Sequence, residues 1–268
     1  MKTRSTRTMA CVVAVLAVVL ASCSSTPSPS PAPAPSPSDV KLEGWQLTLP
    51  IADPDSGDAD TIKPARLAPP WLTSADGGGM TFWAPVGGAT TKNSSKARTE
   101  LVQLDNFTAG SAPRTLTASA TVTQLPSENP DVILGQIHGA EDIKSVAWVM
   151  LHYFDGAIKV VVKQAQDGDA SQDYILADNV PRGTPFTFRL TDNGNGSLTF
   201  GLDANGQTTS ETAPVPAAFN GATVRFQVGA YQQAESEEGA AAPDDGARVT
   251  FTKITTDDKP APAAPPPP

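Results

Sequence analysis

The chain has 268 residues, of which 28 are Asp or Glu and 19 are Lys or Arg, so its formal net charge is −9. An acidic chain of this kind argues against a nucleic-acid-binding function, and it binds a polyanion only through a locally basic groove. It contains two histidines and two cysteines, too few for the clusters that hold metal ions. We therefore expect no nucleic-acid partner, no metal site and no cofactor.

The first 22 residues have the organisation of a signal peptide, with a basic start and an apolar run over 9–20. The sequence Leu20-Ala21-Ser22-Cys23 resembles the lipobox of bacterial lipoproteins, in which the cysteine is acylated. We therefore expect Cys23 to carry lipid, so that the protein is extracytoplasmic and contacts the membrane only through this anchor. An ordinary secretory cleavage site, giving a secreted protein, is the alternative.

Composition then divides the rest of the chain into three parts. Residues 23–38 are the lipidated cysteine and a Pro/Ser-rich tether, which has too few apolar side chains to fold. Residues 39–257 are long enough for one domain with a full core, and we expect this domain to act as a monomer. Residues 258–268 form a Pro-rich tail for which disorder is expected.

Within residues 39–257, short runs rich in β-branched and aromatic residues alternate with Gly, Pro and Asn, while helical signals are scarce. The predicted strands are 115–125, 131–139, 146–154, 157–165, 184–192, 197–205, 223–233 and 247–256. Asp155-Gly156 predicts a type I′ turn between two of them. The pattern predicts an all-β fold, a β-sandwich of jelly-roll type with two antiparallel sheets and a concave substrate groove.

Two strands place polar side chains together on one face. Because residues two apart in a strand share a face, Gln136 and His138 lie opposite the apolar Ile137. By the same rule Arg98 and Glu100 share a face. Each observation has a plain structural alternative, since strand histidines are often half-buried and an Arg–Glu pair can be a surface ion pair of little energetic value.

A third strand repeats this arrangement. In RFQVGAYQQ (225–233) one face is apolar, and the other carries Arg225, Gln227, Gly229, Tyr231 and Gln233. A solvated face is normally richer in Lys, Glu and Thr, so this collection favours a binding groove. Along an ideal strand Arg225 lies about 20 Å from Tyr231. That spacing predicts a remote sugar subsite for Arg225.

The three stretches resemble polysaccharide lyase family 7, the alginate lyases. They stand in the family's order as RTELV (98–102), QIH (136–138) and RFQVGAYQQ (225–233), within a resemblance that covers most of the domain. The sequence departs from the family pattern where Val102 replaces an arginine and Gln227 replaces a lysine. These departures remove groove charge and bear more on the substrate than on the reaction.

The resemblance implies cleavage of an acidic polysaccharide by β-elimination, with 4,5-unsaturated uronate ends as products. The implied catalytic residues are Arg98 and Gln136, which neutralise the substrate carboxylate, with Tyr231 as proton donor and His138 as base. The further residues expected to bind substrate are Glu100, Arg225, Gln227, Gln233 and Lys92. Ile137 between Gln136 and His138 implies a preference for guluronate-containing blocks.

Three other functions remain open from the sequence. The protein could be a lyase for another polyuronate such as glucuronan. It could also be a non-catalytic jelly roll that binds polysaccharide at the cell surface. A glycoside hydrolase would need two carboxylates beside the scissile bond, and Glu100 is the only acidic residue within the three motifs.

Overall fold

Strands make up most of residues 39–235 and 243–257, which are the part of the chain that the computed structural model describes. The predicted signal peptide, Cys23, the tether and the Pro-rich tail lie outside these residues. No helix within the described ranges is long and apolar enough to cross a membrane.

The smaller of two sheets has eight strands. In spatial order they are β15 (Gln207–Pro214), β14 (Ser197–Ala204), β13 (Phe186–Asp192), β8 (Arg114–Gln124), β17 (Gly246–Asp257), β5 (Met80–Pro85) and β4 (Leu72–Ser74), with β1 (Asp39–Val40) beside β17. The β1–β17 pair is parallel, and the other strand pairs of the described residues are antiparallel.

The larger sheet has nine strands. In order they are β12 (Ser171–Ala177), β11 (Ala157–Lys163), β10 (Ala147–Phe154), β9 (Asp131–Gly139), β16 (Thr223–Gln232), β6 (Arg98–Gln103), β2 (Trp45–Ala52) and β3 (Ala59–Ile62), with β7 (Phe107–Thr108) beside β16. The two sheets confirm the predicted all-β sandwich of jelly-roll type.

The core lies between the sheets and follows from period-two alternation. Strands β11 and β13 bury every second residue, which gives each sheet one apolar face. Aromatic pairs fill the space: the rings of Tyr153 on β10 and Phe186 on β13 stack with centroids 6.0 Å apart, and Tyr174 on β12 meets Phe200 on β14 at 5.4 Å. These contacts fix the larger sheet against the smaller one, and so fix its polar face.

The predicted tight turn is also present. Asp155 and Gly156 both have positive φ, 41° and 99°, as a type I′ turn requires. The turn joins β10 to β11 in register from Phe154 opposite Ala157. Its geometry therefore sets which side chains of these two strands face the outer side of the sheet.

Candidate active site

The three strands that carry the sequence motifs are neighbours at the centre of the larger sheet. Strand β16 lies between β6 and β9, and pairs with both. Tyr231 stands opposite Arg98 on β6, while Arg225 stands opposite His138 on β9. Because paired residues share a face, the register brings the polar positions of all three strands together on the outer face of the sheet.

These side chains line one open groove of about 500 Å³. Its lining includes five basic residues, Lys92, Arg98, Lys144, Lys163 and Arg225. Among the described residues that line it, Glu100 is the one carboxylic acid. An acidic chain thus has a groove of the opposite charge, as binding of a polyanion requires.

A buried carboxylate organises the floor of the groove. Glu100 is fully buried, and its two oxygens bind different partners: Gln136 Nε2 donates to Oε1 at 2.6 Å, and Arg98 Nη1 lies 3.4 Å from Oε2. A second donation from Gln136 reaches Gln227 Oε1 at 3.3 Å. Glu100 therefore holds Arg98 and Gln136 in place from below.

Burial and the neighbouring polar groups act in opposite directions on the pKa of this carboxyl group, and burial has the larger effect. Burial raises the pKa of Glu100, whereas the Arg98 charge, the Gln136 amide and the Arg225 charge lower it. Opposite Glu100 on β16 stands Gly229, where an added Cβ would lie 2.8 Å from the Glu100 Cα and 2.4 Å from the Thr99 carbonyl oxygen. A side chain at this position would push β6 and β16 apart beside Glu100.

Several polar atoms of the groove floor have no hydrogen-bond partner among the described residues. They are Nε of Arg98, Nε of Arg225 and Oε1 of Gln136, all buried. Buried polar groups are nearly always paired, so unpaired ones mark a place where a ligand is expected to bind. Two unpaired guanidinium N–H groups suit an anionic ligand.

His138 is held in one tautomer. Its Nδ1 lies 2.9 Å from the carbonyl oxygen of Gly139, which can only accept, so the neutral ring carries its proton on Nδ1 and leaves the Nε2 lone pair free. Burial lowers the pKa of His138 to about 4, helped by the charges of Arg98 and Arg225 and opposed by the Gly139 hydrogen bond. The ring is therefore neutral near pH 7, as a proton acceptor must be.

Tyr231 is positioned by a cation and a hydroxyl. The Arg98 guanidinium lies over its ring, with Cζ 3.5 Å from the ring centroid, and the Tyr231 hydroxyl is 2.9 Å from Oγ of Ser94. Strand β16 has an extra residue relative to β9 between Val228 and Tyr231. Such a bulge turns the side chains that follow it and is common beside active sites.

Most of the residues predicted from the sequence meet in this groove. Those that line it are Lys92, Arg98, Glu100, Gln136, His138, Arg225, Gln227 and Tyr231. Glu100 contacts its neighbours from a fully buried position, and Gln136 is equally buried. Gln233 lies outside the lining, because β16 ends at Gln232 and the Gln233 amide binds the main-chain oxygens of Tyr231 and Gln232.

The expectation of a remote subsite at Arg225 stays a prediction. Arg225 lies six positions before Tyr231 on β16, but the sheet also places His138 directly opposite Arg225 on β9. The Arg225 charge lowers the pKa of His138 and also acts on Glu100. Arg225 thus faces His138, which the spacing along one strand did not show.

Sequence reasoning missed three polar residues beside the motif strands. Lys144 and Lys163 line the groove from the segment after β9 and from the end of β11. Ser94 precedes β6 and reaches the Tyr231 hydroxyl. Ser94 and Lys144 lie in segments without a periodic pattern, and the one signal near Ser94 was the polar run NSSKARTEL (93–101). Lys163 lies on the outer face of β11, where alternation could have shown it.

Within the described ranges, no group of three or more His, Cys, Asp or Glu side chains is arranged to hold a metal ion. The second histidine, His152, is paired with Asp131, whose carboxylate lies 2.9 Å from Nδ1.

Comparison with known proteins agrees with this architecture. A family model described as alginate lyase matches residues 40–258. An alginate lyase of Klebsiella pneumoniae is 26% identical over 275 residues, covering 80% of this chain and 88% of the relative. The crystal structure of an alginate lyase from Pseudomonas aeruginosa superposes with a TM-score of 0.67 at 27% identity, covering 81% of this chain and 99% of that one.

A further solved structure, the alginate lyase A1-II′ of polysaccharide lyase family 7, has a TM-score of 0.69 at 23% identity and covers 81% of this chain and 95% of its own. It shares the jelly-roll fold. The family match spans nearly the whole described domain, including all three motif strands. The chain therefore belongs to the alginate lyase family, polysaccharide lyase family 7.

Proposed function

We propose that this groove cleaves alginate by β-elimination, with Arg98, Gln136, His138 and Tyr231 as the reacting set. The observation that carries the proposal is their convergence in one basic groove, where His138 presents a free Nε2 lone pair. A binding module has no need of both a neutral base and a phenol in one groove. A glycoside hydrolase would need a second carboxylate, and the described lining residues supply only Glu100.

The first requirement of the reaction is neutralisation of the uronate carboxylate. The C5 proton beside this group becomes acidic only when the negative charge that develops on the carboxylate is stabilised. Arg98 and Arg225 each have a buried, unpaired Nε–H for that purpose. Gln136 joins them if its weaker bond, the 3.3 Å donation to Gln227, is exchanged for one to the substrate.

The second requirement is movement of two protons. A base removes the C5 proton, the C5–H electron pair forms the C4–C5 double bond, and the C4–O4 bond breaks as O4 takes a proton from the Tyr231 hydroxyl. His138 Nε2 is the base when the C5 proton and O4 lie on opposite faces of the sugar. Tyr231 serves as both base and acid when they lie on the same face.

The third requirement is a hold on the polymer. Lys92, Lys144 and Lys163 extend the positive charge of the groove beyond the catalytic centre. We assign them to carboxylates of neighbouring sugars. They supply positive charge in place of the family's arginine and lysine, where this chain has Val102 and Gln227. They act at long range because the many carboxylates of the polymer are attracted together.

Substrate preference is the finer part of the proposal. The Gln136-Ile137-His138 sequence supports guluronate-containing blocks, and because Ile137 is fully buried it acts through the position of β9. Initial rates on polyguluronate, polymannuronate, glucuronan and pectate, followed by the ultraviolet absorbance of the unsaturated product, test both levels. Activity on glucuronan alone would identify glucuronan, and not alginate, as the substrate. Faster cleavage of polymannuronate than of polyguluronate would contradict the guluronate preference.

We also propose that the protein acts outside the cytoplasm, as a monomer attached through Cys23. The support is the sequence Leu20-Ala21-Ser22-Cys23 and the Pro/Ser-rich stretch to residue 38. A stretch of this composition is extended and lacks a core, which suits a tether between a lipid anchor and a domain that acts on a large polymer.

A further inference from the structure

Ser94 makes three hydrogen-bond contacts through one hydroxyl group. Its Oγ accepts from the Lys96 amide at 3.0 Å, lies 3.1 Å from the Lys96 carbonyl oxygen, and lies 2.9 Å from the Tyr231 hydroxyl. The Lys96 amide fixes the position of the oxygen atom. The single Ser94 hydrogen therefore chooses between two acceptors, the Lys96 carbonyl and Tyr231.

This choice depends on where the Tyr231 proton is. While Tyr231 donates to Ser94, the Ser94 hydrogen must point to the Lys96 carbonyl. Once the Tyr231 proton points to a ligand in the groove, the Ser94 hydroxyl can rotate and donate to the phenolic oxygen. A chain of hydrogen bonds then runs from the Lys96 amide through Ser94 to Tyr231, and bonds in such chains strengthen one another.

We propose that Ser94 is a positioning residue that aims the Tyr231 hydroxyl into the groove and donates a hydrogen bond to its oxygen as the proton leaves. The inference rests on the proposed function, in which Tyr231 protonates the leaving O4. As negative charge develops on the phenolic oxygen, a neutral hydrogen bond becomes a charge-assisted one. The gain is larger in the transition state than in the ground state, and so it raises kcat.

A purely structural role for the same segment predicts a different result. The segment before β6 is also fastened by Glu235, whose Oε1 accepts from Ser95 Oγ at 2.7 Å and lies 3.1 Å from Lys96 Nζ. Ser95 lies beside Ser94 in the chain, and its hydroxyl bonds Glu235 instead of Tyr231. Ser95→Ala is therefore the matched control, because it loosens the segment and leaves the Ser94–Tyr231 bond in place.

The experiment compares Ser94→Ala, Ser94→Thr, Ser94→Val and Ser95→Ala. Loss of a hydrogen bond to a charged group lowers kcat on alginate roughly 10- to 100-fold in Ser94→Ala, with little change in KM. Thr and Val have the same shape and differ in the hydroxyl, so Ser94→Thr should keep most of the activity that Ser94→Val loses. Circular dichroism confirms that each variant is folded.

Each outcome decides the question. An active wild type whose Ser94→Ala and Ser94→Val variants retain kcat would overturn the inference and leave the proposed function standing. Equal losses in Ser94→Ala and Ser95→Ala would assign the effect to the segment and also overturn it. A wild type that forms no unsaturated product would remove the proposed function, and the catalytic role of Ser94 with it.

Discussion

The protonation of His138 gives the sharpest quantitative test of the site geometry. At pH 5, a histidine with the pKa of about 4 that burial and two arginines produce is about 90% neutral, whereas one with the ordinary value of 6.5 is about 3% neutral. The fraction of protein with a usable base thus differs about thirtyfold between the two cases. Removing one of the two charges in Arg225→Gln should raise the titration midpoint while leaving it below 6.5, because burial is the largest cause.

Nuclear magnetic resonance of the histidine rings measures this directly. The chain has two histidines, so the spectrum has two sets of ring signals, and His138→Asn identifies the set that belongs to His138. Ring nitrogen shifts should report a proton on Nδ1 and a midpoint near pH 4. A midpoint near 6.5, or a neutral ring protonated on Nε2, would refute the assignment of His138 as a base held ready by Gly139.

Three other changes test separate parts of the account. Tyr231→Phe should lower kcat at least ~100-fold, because the transferable proton is lost. Polymer binding, measured by calorimetry, should stay close to that of the wild type. Near-full activity would rule out Tyr231 as the acid. The Lys144→Ala/Lys163→Ala double variant should raise KM for long alginate roughly fivefold and affect KM for short oligosaccharides less, with Lys253→Ala on the other sheet as the control. Equal KM values for the double variant and the wild type would place the two lysines outside the substrate path. Cys23→Ala should abolish labelling by a radioactive fatty acid and reduce membrane attachment, and label retained by the variant would exclude this cysteine as the anchor.

Most strands inside the sheets were predicted from the sequence, although β2 and β5 were missed, and the strands at the edges were not. Strand β9 was predicted with its observed bounds, because its buried positions leave a clear apolar pattern. Strands β12 and β15 are mostly exposed and polar, as in SQDYILA and QTTSETAP, so they lack the alternation that indicates a half-buried strand. Edge strands are specified mainly by their one neighbour, which a local pattern does not contain.

The composition of the site could be predicted better than its register. Alternation assigned Arg98, His138 and Tyr231 each to the polar face of its own strand, because the rule is local. The pairing of Arg225 with His138 depends on how β16 and β9 align, and the bulge after Val228 depends on contacts between distant segments. Reasoning along a single strand therefore did not show that Arg225 faces His138.

The contacts outside the strands were beyond the sequence for another reason. Ser94 meets Tyr231 across 137 residues of chain, and the segment that carries it has no periodic pattern. The burial of Glu100 was equally hidden, since an acidic residue is normally exposed unless it is paired. Arg98 could be expected as a partner from their shared face, but Gln136 becomes visible as one only when β6 and β9 are placed on either side of β16.

The central claim is that the groove breaks the C4–O4 bond of alginate by elimination and not by addition of water. Digestion in oxygen-18-labelled water followed by mass spectrometry measures this difference directly. The account predicts fragments that carry no heavy oxygen at the cleaved bond, each with a new unsaturated, ultraviolet-absorbing end. Saturated fragments that contain one heavy oxygen per cleavage, or intact alginate, would contradict it.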